Sequence, residues 1–479
     1  MATVATLPAR SGRLTEFLLL LPALALGLYA YVQVGLAVDG APPAKLTTLA
    51  IGFTALAIVL HLVVRWRAPY ADPVILPIAI ALNGIGLAMI ARLDAAYQGL
   101  GRPSSYATGQ LQWTVLGIAL CIATVVFVRD HRSLRRFTYL SLLGGLVMLL
   151  LPLLPVIGTT INGSRIWISV AGFSFQPAEI AKILLAIFFA GYLATQRDNL
   201  ALAGAKFLGL QLPRLRHFGP IMLAWAVAVA VLVLERDLGT SLLFFGLFVA
   251  MLYVATERTS WIIIGLGLFV GAVIIAGNLF SHVYARYEIW RNPLSDELYN
   301  RAPGGSYQLV QGLFGMAQGG LMGTGWGYGH PELVYAAHSD FIASSLAEEL
   351  GLTGLIAILL LYLILSLRGI KMALAVKDAF GKLLCGGIAF VVAFQVFVVV
   401  GGITRVIPLT GLTLPFLAQG GSSLIANWMI IGLLLRISNG ARGPGMAPPG
   451  LPPVDVPAAA RPHTPATGID FTTQEVARP

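Results

Sequence analysis

The side chains of this chain best suited to acid–base or anion chemistry sit where charge is costly. Glu179 and Lys182 fall in the run Gln-Pro-Ala-Glu-Ile-Ala-Lys (176–182), at the start of an apolar stretch. An ionisable residue inside a membrane span is by default a functional-site hypothesis. Three residues apart, the two share a helical face and can pair, and Pro177 suits a first turn. The pair could simply fix helix packing, or Lys182 could face an outward cavity and help hold an anionic group. Arg165 lies beside Trp167 in residues 162–167; a cation next to an interfacial ring could meet a phosphate head group or anchor an aromatic belt.

The segment 281–351 gathers charge, glycine and aromatic residues as no other inter-span segment does. Asp296 sits in a turn-forming Asn-Pro-Leu-Ser-Asp-Glu context that would hold a carboxylate at a surface or cleft. Tyr307 and Gln308 follow a Gly-Gly pair, and His338-Ser339-Asp340 lead into an apolar run whose helix start favours Asp340. Glu348 and Glu349 lie two turns on, about 12 Å deeper, so at least one should line the interior. Glu235-Arg236-Asp237 reads as a tight turn with local ion pairing. Gly420-Gly421-Ser422-Ser423 permits close helix approach, and Pro415 implies a broken or kinked helix, which makes packing the first role of that stretch. No nucleophile elbow, no phosphate-cradling GxxxxGK and no metal-spaced His pair occurs, so nucleophilic hydrolysis and ATP use lack support.

These residues must be positioned by helices in lipid. Of 479 residues, 57% are hydrophobic and 11% charged, against about a quarter charged in soluble domains, and the mean hydropathy is +0.83. Twelve windows of span length occur, at 16–36, 46–64, 74–92, 110–128, 137–157, 178–195, 218–234, 238–256, 260–279, 342–367, 382–404 and 411–436. The expectation is an all-α polytopic bundle. The net charge of +10 does not indicate nucleic acid, because the basic residues sit in short loops between spans. Placing Arg65, Arg67, Arg129, Arg132, Arg135, Arg136, Arg368 and Lys371 inside puts both termini in the cytoplasm and the 280–340 loop outside. Residues 1–15 and the Pro/Ala/Gly-rich 438–479 read as cytoplasmic tails, the second disordered. Cys121 and Cys385 fall inside spans and read as small core residues.

Taken in order, QPAEIAK, DLGTS, the Asn-Pro-x-Ser-Asp…Tyr-Gln loop, GTGWG, His-x-Asp-Phe-Ile…AEELG and PLTG-x-x-LPF…GGSS resemble the SEDS family of bacterial cell-envelope proteins (RodA, FtsW, SpoVE), over about residues 74–436. The resemblance implies a ten-span core (74–437) preceded here by two further spans (16–73). It implies a peptidoglycan glycosyltransferase polymerising lipid II beside a class B penicillin-binding protein, nearer the elongation members than the division members. It places the family's essential carboxylate on Asp296, its intramembrane pair on Glu179 and Lys182, its basic residue before the loop on Arg286, and its H-x-D pattern on His338 and Asp340. Arg236, Val399, Arg405 and the insertion-like residues 297–305 depart from the family pattern.

The implied chemistry suits these groups. A sugar hydroxyl is a poor nucleophile, so Asp296 would serve as general base. Arg165, Lys182 and Arg286 would meet the leaving pyrophosphate, a job that a divalent cation, Mg2+ or Mn2+, could share. Two other readings stand beside this one: a flippase for lipid II, or a non-enzymatic scaffold of the cell-wall machinery. Ionisable residues gathered in the outer half favour the enzyme.

Overall fold

The computed structural model describes residues 11–102, 104–161, 163–170, 173–201, 206–207, 210–211, 215–302 and 304–443. In hydrocarbon each backbone N–H and C=O must find an internal partner, so an apolar chain of this length folds into helices. They run α1 (Arg13–Asp39), α2 (Leu46–Arg67), α3 (Ile75–Gly99), α4 (Tyr106–Phe127), α5 (Thr138–Leu150), α6 (Ala178–Ala201), α7 (Leu215–Leu234), α8 (Leu238–Thr256) and α9 (Ser260–Leu279). Three shorter helices, α10 (Ser281–Arg291), α11 (Asp296–Asn300) and α12 (Tyr307–Gly319), form the polar segment; α13 (Ile342–Ala375), α14 (Ala379–Ile403) and α15 (Gly421–Arg442) close the bundle.

Among the described residues, 11 helices are long and apolar enough to cross a membrane. The remaining expected span falls on α7, whose described apolar stretch is Met222–Val231. The central helix is α3, with 94% of its best span window buried, whereas α9 has 6% and lies at the periphery. Close approach at the centre depends on missing side chains: a Cβ on Gly27 of α1 would sit 2.8 Å from the Gly84 Cα of α3. Cys121 and Cys385 are buried and unpaired.

Three features depart from the sequence expectation. The last helix starts at Gly421 rather than near 411, because Pro408, Pro415 and the glycines hold 404–420 in irregular backbone. That backbone is satisfied from neighbouring helices: the Tyr362 hydroxyl donates to Pro415 O and the Gln395 amide to Thr413 O at 2.8 Å. A small antiparallel sheet, β1 (Gly158–Ile161), β2 (Ser164–Val170) and β3 (Phe173–Phe175), stands before α6. Finally, α13 is interrupted at Gly351 (φ 72°). The carbonyls of Glu348 and Glu349 there accept from the amides of Thr324 and Gly325 at 3.0 and 2.9 Å. A helix broken inside the bundle thus receives the GTGWG loop as its missing hydrogen-bonding partner.

The C-terminal tail expected from residue 438 lies, from 444 onward, outside the described residues, and α15 continues to Arg442. Ionisable residues are not confined to one end of the bundle, contrary to the sequence reading. Glu16, fully buried, takes Arg13 at 2.6 Å and the His61 imidazole at 2.7 Å, at the end of α1 and α2 away from the GTGWG loop.

Candidate functional site

The start of α6 builds the first part of the site. Lys182 Nζ donates to Glu179 Oε2 at 2.5 Å and to Gln395 Oε1 at 3.2 Å. Lys182 is 2% exposed and Glu179 7%, so the cation is held by two acceptors in a place that offers it almost no water. The i, i+3 pairing follows from the spacing; the third partner, Gln395 on α14, does not.

Around this pair, four segments converge. The Ser422 hydroxyl at the head of α15 accepts from the Gln176 amide at 2.7 Å. The Gln176 side chain donates to Asp237 Oδ2 at 3.3 Å. Asp237 caps α8 through the Thr240 amide at 2.9 Å, the DLGTS run placing an N-cap acceptor three residues before an N–H. Arg286, on α10, donates to the carbonyls of Leu409 and Thr410 at 3.0 and 2.8 Å. It lies in the field of both Asp237 and Asp340. Gly420 and Gly421 let α15 enter here, since a Cβ on Gly421 would lie 2.3 Å from the Trp113 ring.

Charge in this cluster is finely balanced, with two cations, Lys182 and Arg286, beside three carboxylates. Burial pushes the Asp237 carboxyl up, against the Thr240 hydrogen bonds and the Arg286 charge. Burial likewise raises Asp340, opposed by the Ser339 hydroxyl at 2.9 Å and by Arg286. The Arg286 guanidinium is itself lowered by burial, with the two aspartates opposing. Such a site accepts an anion most readily when its carboxylates take up protons or share a cation.

His338, two residues before Asp340, takes part in an aromatic stack. Its ring lies 4.0 Å from Tyr106, nearly parallel at 12°, and edge-on to Tyr97 at 6.1 Å. Burial lowers its pKa, so the imidazole is biased to the neutral form. Asp94 fixes the stack by accepting from the Tyr106 and Ala107 amides at 3.0 and 2.7 Å.

Asp296 stands apart. It opens α11 just after the Ser295 cap, is exposed, and its carboxylate takes no hydrogen bond or ion pair among the described residues. Arg165 donates to Leu154 O at 3.1 Å and makes no bond to the cluster. Tyr307 is exposed, its ring 5.4 Å from Tyr299, and Gln308 donates to Tyr335 O at 2.7 Å. Glu348 and Glu349 are both interior and form a second centre. Glu349 takes Arg92 at 2.8 Å and the Gly327 amide at 3.0 Å, while Glu348 takes the His330 amide at 2.6 Å. They hold the loop before His338.

One expectation is corrected: the turn 235–237 carries no ion pair among the described residues. Arg236 is exposed with φ 62°, and Glu235 is buried with Oε1 unpartnered. Burial foremost, then Asp237, pushes the Glu235 carboxyl up to about 8. Asp237, Gln176, Gln395 and Arg92 are the residues that sequence reading missed. The capping pattern of DLGTS was visible, but its burial against Arg286, 49 positions away, was not.

A family model for the FtsW, RodA and SpoVE cell cycle proteins matches residues 73–443, leaving α1 and α2 outside it. The chain is 46% identical to the peptidoglycan glycosyltransferase RodA of Mycobacterium tuberculosis, over 92% of this chain and 93% of that one. It is 32% identical to the stage V sporulation protein E of Bacillus subtilis, over 78% and 98%. Among solved structures, a chain of a peptidoglycan synthase complex in which polymerization and crosslinking are coordinated superposes with TM-score 0.62 at 27% identity, over 78% of this chain and 98% of that chain. The rod shape determining protein RodA of Thermus thermophilus follows at 0.55 and 25%, over 77% and 96%. The chain belongs to the FtsW/RodA/SpoVE family of bacterial, multi-pass membrane proteins, the family that its motifs resemble.

Proposed function

We propose that this chain is a peptidoglycan glycosyltransferase that polymerises lipid II at the outer face of the cytoplasmic membrane, in cell elongation. The observation that carries the reading is a buried cation, Lys182, and a half-buried one, Arg286, in a chain whose polar segment also presents the exposed, unpaired carboxylate of Asp296. Asp296 takes the proton of an acceptor 4-hydroxyl as that oxygen attacks the anomeric carbon of a lipid-linked sugar. The C–O bond to undecaprenyl pyrophosphate breaks, and one displacement inverts the configuration. Arg286 and Lys182 stabilise the departing negative charge where little water competes. Arg165, His338 and Asp340 border the substrate, and Glu348, through the His330 amide, and Glu349, through Arg92, hold the loop that carries the last two.

A divalent cation fits this site only as a companion of the pyrophosphate. No three His, Cys, Asp or Glu side chains converge among the described residues. Mg2+ commonly takes one or two protein carboxylates plus substrate phosphates, and Asp237 and Asp340 are the two beside Arg286. When bound it would neutralise charge on the leaving group. A class B penicillin-binding protein is the proposed partner, and both termini are proposed to be cytoplasmic.

The test is strand formation from labelled lipid II by the purified chain with its partner. Glycan strands support the polymerase. Lipid II crossing liposome membranes with no strands formed would instead support the flippase.

A further inference from the structure

A cleft of about 560 Å3 runs along the segment that carries Asp296, a volume typical of small-ligand sites. Every residue from 291 to 298 except Asp296 lines it, joined by Glu288 of α10 and Arg405 after α14. Whatever occupies the cleft therefore lies within a residue or two of Asp296 without covering its carboxylate.

The wall is charged but neutral overall, with Glu288 and Glu297 against Arg291 and Arg405. Glu288 is shared with Arg301 at 3.1 Å. Arg291 and Glu297 are exposed and enter no ion pair among the described residues. Arg405 is held there at a cost: its φ of 61° lies in the left-handed region that favours glycine. Its Nη2 donates to Trp290 O at 3.1 Å, and the Trp290 indole donates back to Arg405 O at 3.0 Å. With the head and backbone so fixed, Nε stays buried without a partner.

A pyrophosphate calls for net positive charge, which this cleft lacks. Two charges of each sign, with Arg291 and Glu297 in no ion pair among the described residues, suit a ligand that carries both carboxylate and ammonium groups. The sugar substrate of the proposed reaction bears such a group, a short peptide branching from the same ring as the reacting carbon. A branched substrate needs two neighbouring sites, one at the catalytic carboxylate and one for its arm. We propose that this cleft receives the peptide arm of the substrate, its carboxylates facing Arg291 and Arg405 and its amino group facing Glu297. The inference rests on the polymerase reading and adds to it a site for the part of the substrate that does not react.

The experiment measures strand formation by the full chain with its partner on two lipid-linked disaccharides, one bearing the peptide and one without it. Wild type is compared with Arg291→Glu and Glu297→Lys, both at exposed positions where folding is unaffected. The KM ratio between the two substrates shifts about fivefold in each variant, the scale of one or two partly exposed charge contacts. A KM change equal on both substrates, or absent from both, overturns the peptide assignment. A defect that tracks weaker partner binding, whichever substrate is used, assigns the cleft to the partner and overturns it too. Wild-type strands from both substrates establish the polymerase separately; no strands from any chain on either overturns the polymerase and the cleft assignment together.

Discussion

Two carboxylates with opposite surroundings divide the chemistry at the residue scale. Asp296 is exposed and unpaired, available to take a proton, whereas Glu179 is committed to Lys182. Asp296→Asn keeps the shape and removes the base, so strand formation should fall by at least about 100-fold while folding and partner binding persist. Lys182→Ala leaves Glu179 buried without its partner and should lower both activity and melting temperature. Replacing both members, Glu179→Gln with Lys182→Met, should restore much of the stability but not the activity, because a buried pair can give way to neutral groups of similar size. Full activity in the double variant would reduce the pair to a packing device. Spacing alone made this pair legible. Asp237 was not, because a capping residue and a substrate-facing carboxylate have the same sequence signature until the fold sets Arg286 beside it.

At the scale of elements, the helices were readable because lipid enforces long apolar runs, and the misreadings fall where composition stays apolar while the backbone leaves the helix. The stretch 404–420 is one such place, as is the sheet at 158–175, whose few alternating residues are lost among aliphatic neighbours. The 235–237 turn between α7 and α8 offers a test. Glu235 titrates at about 8 in the fold and in the ordinary carboxylate range when unfolded. Between those values the folded chain holds the extra proton. This group's contribution to stability is therefore present at low pH and lost as pH rises through about 8. Glu235→Gln should melt with wild type near about pH 5 and above it near about pH 9 in detergent-solubilised protein. Melting curves that stay parallel across that range would contradict the buried, unpaired carboxyl. At the head of α15, Gly421→Leu would drive a side chain into the Trp113 ring and should cost about 1–3 kcal/mol, read as a fall in melting temperature.

For the whole molecule, composition gave the membrane class and the motif order gave the family, while the position of α1 and α2 required the fold. These helices lie outside the family match, yet α1 packs along α3 and reaches Gly327 in the loop held by Glu349. The proposed orientation can be read with single cysteines, since Cys121 and Cys385 are buried and should stay silent. Glu297→Cys should react with a membrane-impermeant maleimide on intact spheroplasts, and Lys377→Cys only after lysis; the reverse pattern would invert the topology. The central claim meets its most direct test in labelled lipid II, incubated with the chain and its partner, whose crosslinking activity is blocked, with products resolved on a gel. A ladder of glycan strands from wild type and none from Asp296→Asn is the predicted result. Equal ladders from both would contradict it and move the catalytic base away from Asp296.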